Sequence, residues 1–167
     1  TTRKDLVVKI DDLAEKFAPN KNWYIRTMNK LFEMGGDLVT QNLTNKFIQS
    51  IGEYEKQENG DTFRDNTIKI YVKVLKKNPN IPEALMQVIA WIMGEYGADS
   101  ADNEKIKDII DELCNQAYVG YENQNTISLI ISALTKLHLA QDFPPNGNID
   151  MVIRDFINSK HINVQER

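Results

Sequence analysis

In 167 residues, 20 Lys and Arg oppose 24 Asp and Glu for a net charge of −4, with 41% of the chain hydrophobic and 26% charged. Eight Gly, five Pro and one Cys exclude collagen-like, mucin-like and strongly disordered compositions and leave no intramolecular disulfide. A domain of about 150 residues buries roughly 70% of the surface its unfolded chain exposes, so a sizeable core needs no metal or cross-link.

The first predicted element is an amphipathic helix. Leu6, Ile10, Leu13 and Phe17 set four apolar side chains on one face. Ala18-Pro19-Asn20 stops it, since Pro has no amide hydrogen and biases its predecessor away from helix. A second helix, expected to start near Asn22, carries Ile25, Met28, Leu31 and Phe32, with Gly35-Gly36 as a left-handed stop. Leu43, Phe47, Ile51 and Tyr54 mark a third helix; a turn at Glu58-Asn59-Gly60-Asp61 follows, then a fourth with Ile68, Tyr71, Val72 and Leu75. Asn78-Pro79-Asn80 breaks the chain, and Pro82 suits the opening of a fifth, on which Leu85, Ile89, Ile92 and Tyr96 repeat the spacing of the first. Gly97 is expected to cap it. Ile106, Ile109, Ile110, Leu113 and Ala117 form a sixth face; Ile127, Ile130, Ile131, Leu134 and Leu137 form a seventh. After Phe143-Pro144-Pro145-Asn146-Gly147, the residues Ile149, Val152, Ile153 and Phe156 predict a shorter eighth helix, with a polar tail beyond Ser159.

Corresponding markers Leu6, Leu43, Leu85 and Ile127 recur at intervals of 37, 42 and 42 residues, and Ile25, Ile68, Ile106 and Ile149 at 43, 38 and 43. This matches the roughly 40–47-residue period of HEAT and armadillo arrays. Eight helices therefore group into about four pairs, near 3–35, 41–77, 82–118 and 123–158. The expected fold is an all-α, HEAT/armadillo-like α-solenoid, a right-handed superhelical array in which stacked pairs bury a continuous core. A coiled coil fits badly, because Pro or Gly punctuates nearly every corner.

The longest apolar run, Ala84 to Met93, is interrupted by Gln87, so no segment is expected to span a membrane. With no apolar leader and no initiating Met, the chain reads as a single fragment, 1–167, excised from a longer protein. Terminal pairs would then lack neighbours and expose apolar ends that favour association. The expected compartment is cytoplasmic, with a reduced and buried Cys114.

Chemistry is sparse. Cys114 has neither His138 nor His161 near it in sequence, and both His read as helix-end residues. No zinc-type spacing occurs. Asp99-Ser-Ala-Asp102-Asn-Glu104 has Ala101 where a calcium loop needs an oxygen ligand, so Asp102 and Asn103 read as helix caps. Gly35-Gly36 and Gly94-Glu-Tyr-Gly97 lack phosphate-loop spacing and read as helix-end glycines. Asp11-Asp12 and Asp111-Glu112 read as solvated helix faces. So do two basic ridges, Lys73/Lys76/Lys77 and Arg3/Lys4/Lys9, although either suits phosphates or lipid headgroups. Trp23, Tyr24 and Trp91 read as core rather than interface anchors. Asn42-Leu-Thr44 matches a glycosylation sequon by accident. No catalytic, cofactor-binding or metal-binding residue is assigned, no cofactor is expected, and nucleic acid is not an expected partner.

The stretch Leu13-Ala-Glu-Lys-Phe-Ala-Pro-Asn-Lys-Asn-Trp-Tyr-Ile-Arg-Thr-Met-Asn-Lys-Leu-Phe-Glu-Met-Gly-Gly-Asp37 resembles a signature in the trunk of the large subunits (adaptins) of clathrin-type adaptor complexes. Trp23-Tyr24 and Gly36-Asp37 stand where that family has a Trp-aromatic helix and a Gly-Asp turn. Gln87-Val-Ile-Ala-Trp-Ile-Met-Gly-Glu-Tyr-Gly97 and Ser132-Ala-Leu-Thr-Lys-Leu137 resemble two later segments, so three ordered matches cover most of the chain. Thr27-Met-Asn29 with Phe32 to Asp37 is most similar to the ε type, that of the fourth adaptor complex; the Asn- and Lys-rich corners depart from animal ε chains.

The resemblance implies a non-catalytic scaffold segment that supports cargo sorting and intracellular protein transport. Its implied partners are a β-type large chain, a medium chain and a small chain in a heterotetramer. A small GTPase and cargo tails would be met through the complex, peripherally and indirectly on trans-Golgi network or endosomal membranes. No cargo, lipid or GTPase contact carries over to a numbered residue. Another HEAT-type transport scaffold, coatomer-like or nuclear-transport, shares the helix grammar, and an all-α enzyme would need a deep polar pocket between repeats.

Overall fold

A computed structural model describes residues 2–57, 59–78, 80–99, 102–140 and 146–165, without the side chains of 159–165. The described residues form eight α-helices and no strand: α1 (Arg3–Phe17), α2 (Lys21–Gly35), α3 (Gln41–Glu55), α4 (Gly60–Lys77), α5 (Glu83–Tyr96), α6 (Asn103–Ala117), α7 (Gln124–Ala140) and α8 (Gly147–Gln165). Single 3₁₀ turns, Gly36–Leu38 and Gly97–Asp99, follow α2 and α5. The fold class is all-α, as the periodicity predicts. The chain divides into two units, residues 1–89 and 90–167, with the division inside α5.

Local chemistry fixes the helix ends. Thr2 and Asp5 form a capping box on α1: the Asp5 amide donates to Thr2 Oγ1 at 3.3 Å and the Thr2 amide to Asp5 Oδ2 at 3.0 Å. Asn20 caps α2, which starts at Lys21, one residue before the expected Asn22, by accepting the Trp23 amide at 2.8 Å. Gly36 then takes a φ of +49°, a conformation that side chains resist, and its amide closes α2 on the Phe32 carbonyl. Asp102 caps α6 by accepting the Glu104 amide at 3.0 Å.

In the first unit α1 packs on α2, α3 on α4, and α2 on α4. Ile25, Met28, Phe32, Phe47, Ile51 and Tyr71 are fully buried. Aromatic rings chain through this core: Phe32 to Phe47 at 5.3 Å, Phe47 to Tyr24 at 5.9 Å, Tyr24 to Tyr54 at 6.0 Å and Tyr54 to Phe63 at 5.9 Å between centroids. Most of these contacts are edge-on or tilted, the geometry favoured by ring quadrupoles.

The face of α1 is a correction. Val7, Asp11 and Ala14 are buried, whereas Leu6, Leu13 and Phe17 are 53%, 57% and 66% exposed. α1 thus carries two stripes, and the less apolar one faces the neighbouring helices. On α5 the same spacing is buried, with Leu85, Ile89 and Ile92 at 0% and Tyr96 at 7%.

In the second unit α6 packs on α7 and on α8, and α7 on α8. Ile106, Ile109, Ile110, Leu113, Ile130, Leu134, Leu137 and Val152 form its core. Gly94 lies in the last turn of α5 and Gly97 directly follows it, as expected of helix-end glycines, but Gly94 has a packing role as well. A Cβ there would sit 3.2 Å from the Ala133 Cα of α7, so its missing side chain permits close backbone approach. Gly97 similarly faces Leu137 Cδ2, 2.8 Å from where its Cβ would be. Gly94→Ala is expected to lower stability by about 1–2 kcal/mol despite its better helix propensity, read by urea denaturation followed through Trp91.

The eighth helix is longer than expected, continuing to Gln165 rather than ending at Ser159. No Gly or Pro lies between Ser159 and Gln165, so nothing removes a donor from its hydrogen-bond ladder. The Phe143-Pro144-Pro145 break and Pro79 lie outside the described residues. No helix among the described residues is long and apolar enough to cross a membrane.

Candidate functional surfaces

The polar groups divide into a buried node that holds helices together and open surfaces that carry charge. At the node, Asp11 is 2% exposed. Its carboxylate lies 2.7 Å from Lys46 Nζ of α3 and accepts the Tyr24 hydroxyl of α2 at 3.3 Å, while Lys46 also meets Glu15 at 2.8 Å. Asp11 is therefore not part of a solvated acidic face; it turns inward one residue before exposed Asp12 and ties α1 to α2 and α3. Hydrogen bonds to Asp11 and Glu15 raise the Lys46 ammonium pKa, and burial together with the Asp11 charge raises the Tyr24 phenol.

Cys114 is buried in α6, and burial, with the nearby Asp111 charge, pushes its thiol up to about 11. The thiolate needed for nucleophilic attack is scarce at neutral pH. Iodoacetamide is accordingly expected to alkylate Cys114 at least about tenfold more slowly in the native chain than in urea, by intact-mass spectrometry. His138 lies in the last turn of α7 with Nδ1 shielded and without a hydrogen-bond partner. The His161 side chain and Ala101 lie outside the described residues. Among the described residues no group of three His, Cys, Asp or Glu side chains is arranged to hold a metal ion.

Of the aromatic candidates, Tyr24 is core at 1% exposure, Trp91 is half-buried with its ring edge-on to Tyr96 at 5.6 Å, and Trp23 is 41% exposed. Trp23 corrects the core reading: α2 turns Tyr24 and Ile25 inward and leaves the preceding ring on its outer face. The Thr44 hydroxyl is buried and donates to the Thr40 carbonyl at 3.1 Å, while Asn42 is exposed.

Both basic ridges are exposed. The one on α4 is larger than sequence adjacency suggests, because Lys69 joins Lys73, Lys76 and Lys77 on its outer face, and Arg26 and Lys30 line the outer face of α2. The Tyr71 hydroxyl of α4 donates to Asn29 Oδ1 of α2 at 2.6 Å, clamping these helices side by side. Nearer their N-termini, a shallow open recess is lined by Asn20, Lys21, Asn22, Asn59, Thr62, Phe63 and Asn66.

Comparison with known proteins gives these surfaces a context. The family model described as Adaptin N terminal region matches residues 1–167. The chain is 32% identical over 154 residues to human AP-4 complex subunit epsilon-1, a match covering 91% of the chain and 13% of that protein. It is 27% identical over 175 residues to AP-4 complex subunit epsilon of Arabidopsis thaliana, covering 99% of the chain and 18% of the relative. AP-1 complex subunit gamma-1 of Mycosarcoma maydis is 25% identical over 166 residues, covering 92% and 18%. The chain thus spans less than a fifth of the length of these relatives. No solved structure matches at the same stringency.

Proposed function

The chain belongs to the adaptin N-terminal family, and from that premise we propose that it is a non-catalytic scaffold segment of an adaptor-complex large subunit of ε type. The observation that carries this reading is the family match over residues 1–167, with ε subunits among the similar relatives. In this reading the segment is one continuous piece of a trunk solenoid that supports cargo sorting at trans-Golgi or endosomal membranes. Its parent chain would assemble with a β-type large chain, a medium chain and a small chain, meeting a small GTPase and cargo tails through the complex. The paired helices support it, because their side chains are committed to packing and to interhelical clamps such as Asp11–Lys46 and Tyr71–Asn29.

The test is co-expression of the complete parent chain with the small chains of each adaptor type from the same organism, followed by tandem purification and mass spectrometry. Selective recovery of the fourth complex's small, medium and β chains is expected. Recovery of another adaptor set would retain the scaffold and overturn the ε assignment. Recovery of none would overturn the adaptor reading and favour a coatomer-like or nuclear-transport scaffold, or an enzyme.

A further inference from the structure

We infer that the furrow between α2 and α4 is a docking site for an extended acidic peptide segment of a partner protein. Two contacts fix the furrow's geometry. Lys21 Nζ lies 5.8 Å from the centroid of the Phe63 ring, and Asn29 accepts the Tyr71 hydroxyl at 2.6 Å. Both pairs are separated by 42 residues, so α2 and α4 run parallel and level. The 15 residues of α2, level with 63–77 of α4, extend about 22 Å, the span of roughly seven residues of extended peptide.

The furrow's two ends differ in chemistry. At the N-terminal end, Asn22 and Asn66 are half-buried in the recess, and their amides make no hydrogen bond among the described residues. Each presents both an N–H and a carbonyl, the complement of a peptide backbone. Towards the C-terminal end, Arg26 and Lys30 stand opposite Lys69, Lys73 and Lys77, all exposed. From Trp23 to Gly35 the only acid on α2 is Glu33, and α4 carries none from Asn66 to Lys77.

Neighbouring helix axes lie about 8–10 Å apart, close to the Debye length of about 8 Å at physiological salt, so these five cations, set against the single Glu33, repel one another weakly until a further anion joins them. This local positive field contrasts with a chain whose net charge is −4, and it favours an acidic partner. The amide-lined recess decides for a peptide over a membrane: a bilayer surface would meet the cations and leave the recess unused. An extended strand lays its backbone on the amides and projects carboxylates toward the cations.

The probe is a fluorescein-labelled peptide of alternating Asp and Ser, long enough to span the furrow, titrated into the complete parent chain by fluorescence anisotropy. Saturable binding is expected, weakened about tenfold or more by Lys69→Glu with Lys73→Glu and about threefold by Asn22→Ala with Asn66→Ala. Lys105→Glu on α6 should leave it unchanged. Thermal melts confirm that the exposed-site variants are folded. Absence of saturable binding overturns the proposal, as does indifference to either double substitution. Charge-dependent retention on phosphatidylcholine vesicles containing phosphatidylserine, without peptide binding, would assign the face to a membrane and overturn it equally.

Discussion

Ile89→Asp is expected to unfold the first unit at temperatures where the parent sequence is intact, with a loss of about 4 kcal/mol or more against a typical total of about 5–15 kcal/mol. Ile89 is 0% exposed, and Leu85, Met86, Val88, Ala90, Ile92 and Met93 around it on α5 are equally buried. Substitution removes the transfer energy of an Ile side chain and places a carboxylate where desolvation disfavours it. Lys76→Asp, on the exposed face of α4, should change stability by about 0.5 kcal/mol or less. Urea denaturation followed separately through Trp23 in the first unit and Trp91 in the second measures both variants. Similar small effects would refute the helical register of α5.

The second large effect is expected at the Asp11 node. Lys46→Met leaves the Asp11 carboxylate, 2% exposed, with the Tyr24 hydroxyl as its remaining hydrogen-bond donor among the described residues. Breaking a fully buried pair costs about 3–5 kcal/mol; Lys46 is 41% exposed, which admits water and lowers the expectation to about 2–3 kcal/mol. Adding Asp11→Leu should recover much of that loss, since the stranded charge disappears, leaving chiefly the Tyr24 hydroxyl without its acceptor. A double-mutant cycle in urea reads the difference. The pH dependence has a definite sign. Lys46 and Tyr24 both bind their protons more tightly in the folded state, so their contribution is complete below about pH 10, near the unfolded-state values, and falls as pH rises beyond. Lys46→Met should therefore lose stability less steeply above pH 10 than the parent.

Helix existence and most core faces were legible because period and punctuation agree: Ile25, Phe47, Ile89 and Ile109 each recur with an apolar neighbour one turn away and a Gly, Pro or cap residue at the helix end. The face of α1 was misread for a physical reason. Leu6, Leu13 and Phe17 are its largest apolar groups, whereas the buried stripe contains Asp11, whose charge hides it from any hydrophobicity pattern until Lys46, 35 residues away, is brought alongside. The furrow was illegible for a related reason. Lys73, Lys76 and Lys77 are visible as a local run, but Arg26 and Lys30 join them only through the packing of α2 on α4, and no short motif encodes a contact across 42 residues. The adaptin signature was carried by local sequence, which is why family membership could be read before the surface that the helices build together.

The two-point clamp of α2 on α4 has an evolutionary consequence. Residues gained or lost at Lys56 and Gln57, ahead of the recess-lining Asn59, change chiefly the length of an exposed turn, so that corner can drift among related chains. A single-residue deletion between Phe63 and Tyr71 is another matter: it rotates the rest of α4 by about 100° about its axis. Tyr71 would leave Asn29, and the lysines beyond would swing away from Arg26 and Lys30. Descendants that keep this surface should therefore tolerate indels at the corner and almost none within the seven residues between the two clamps.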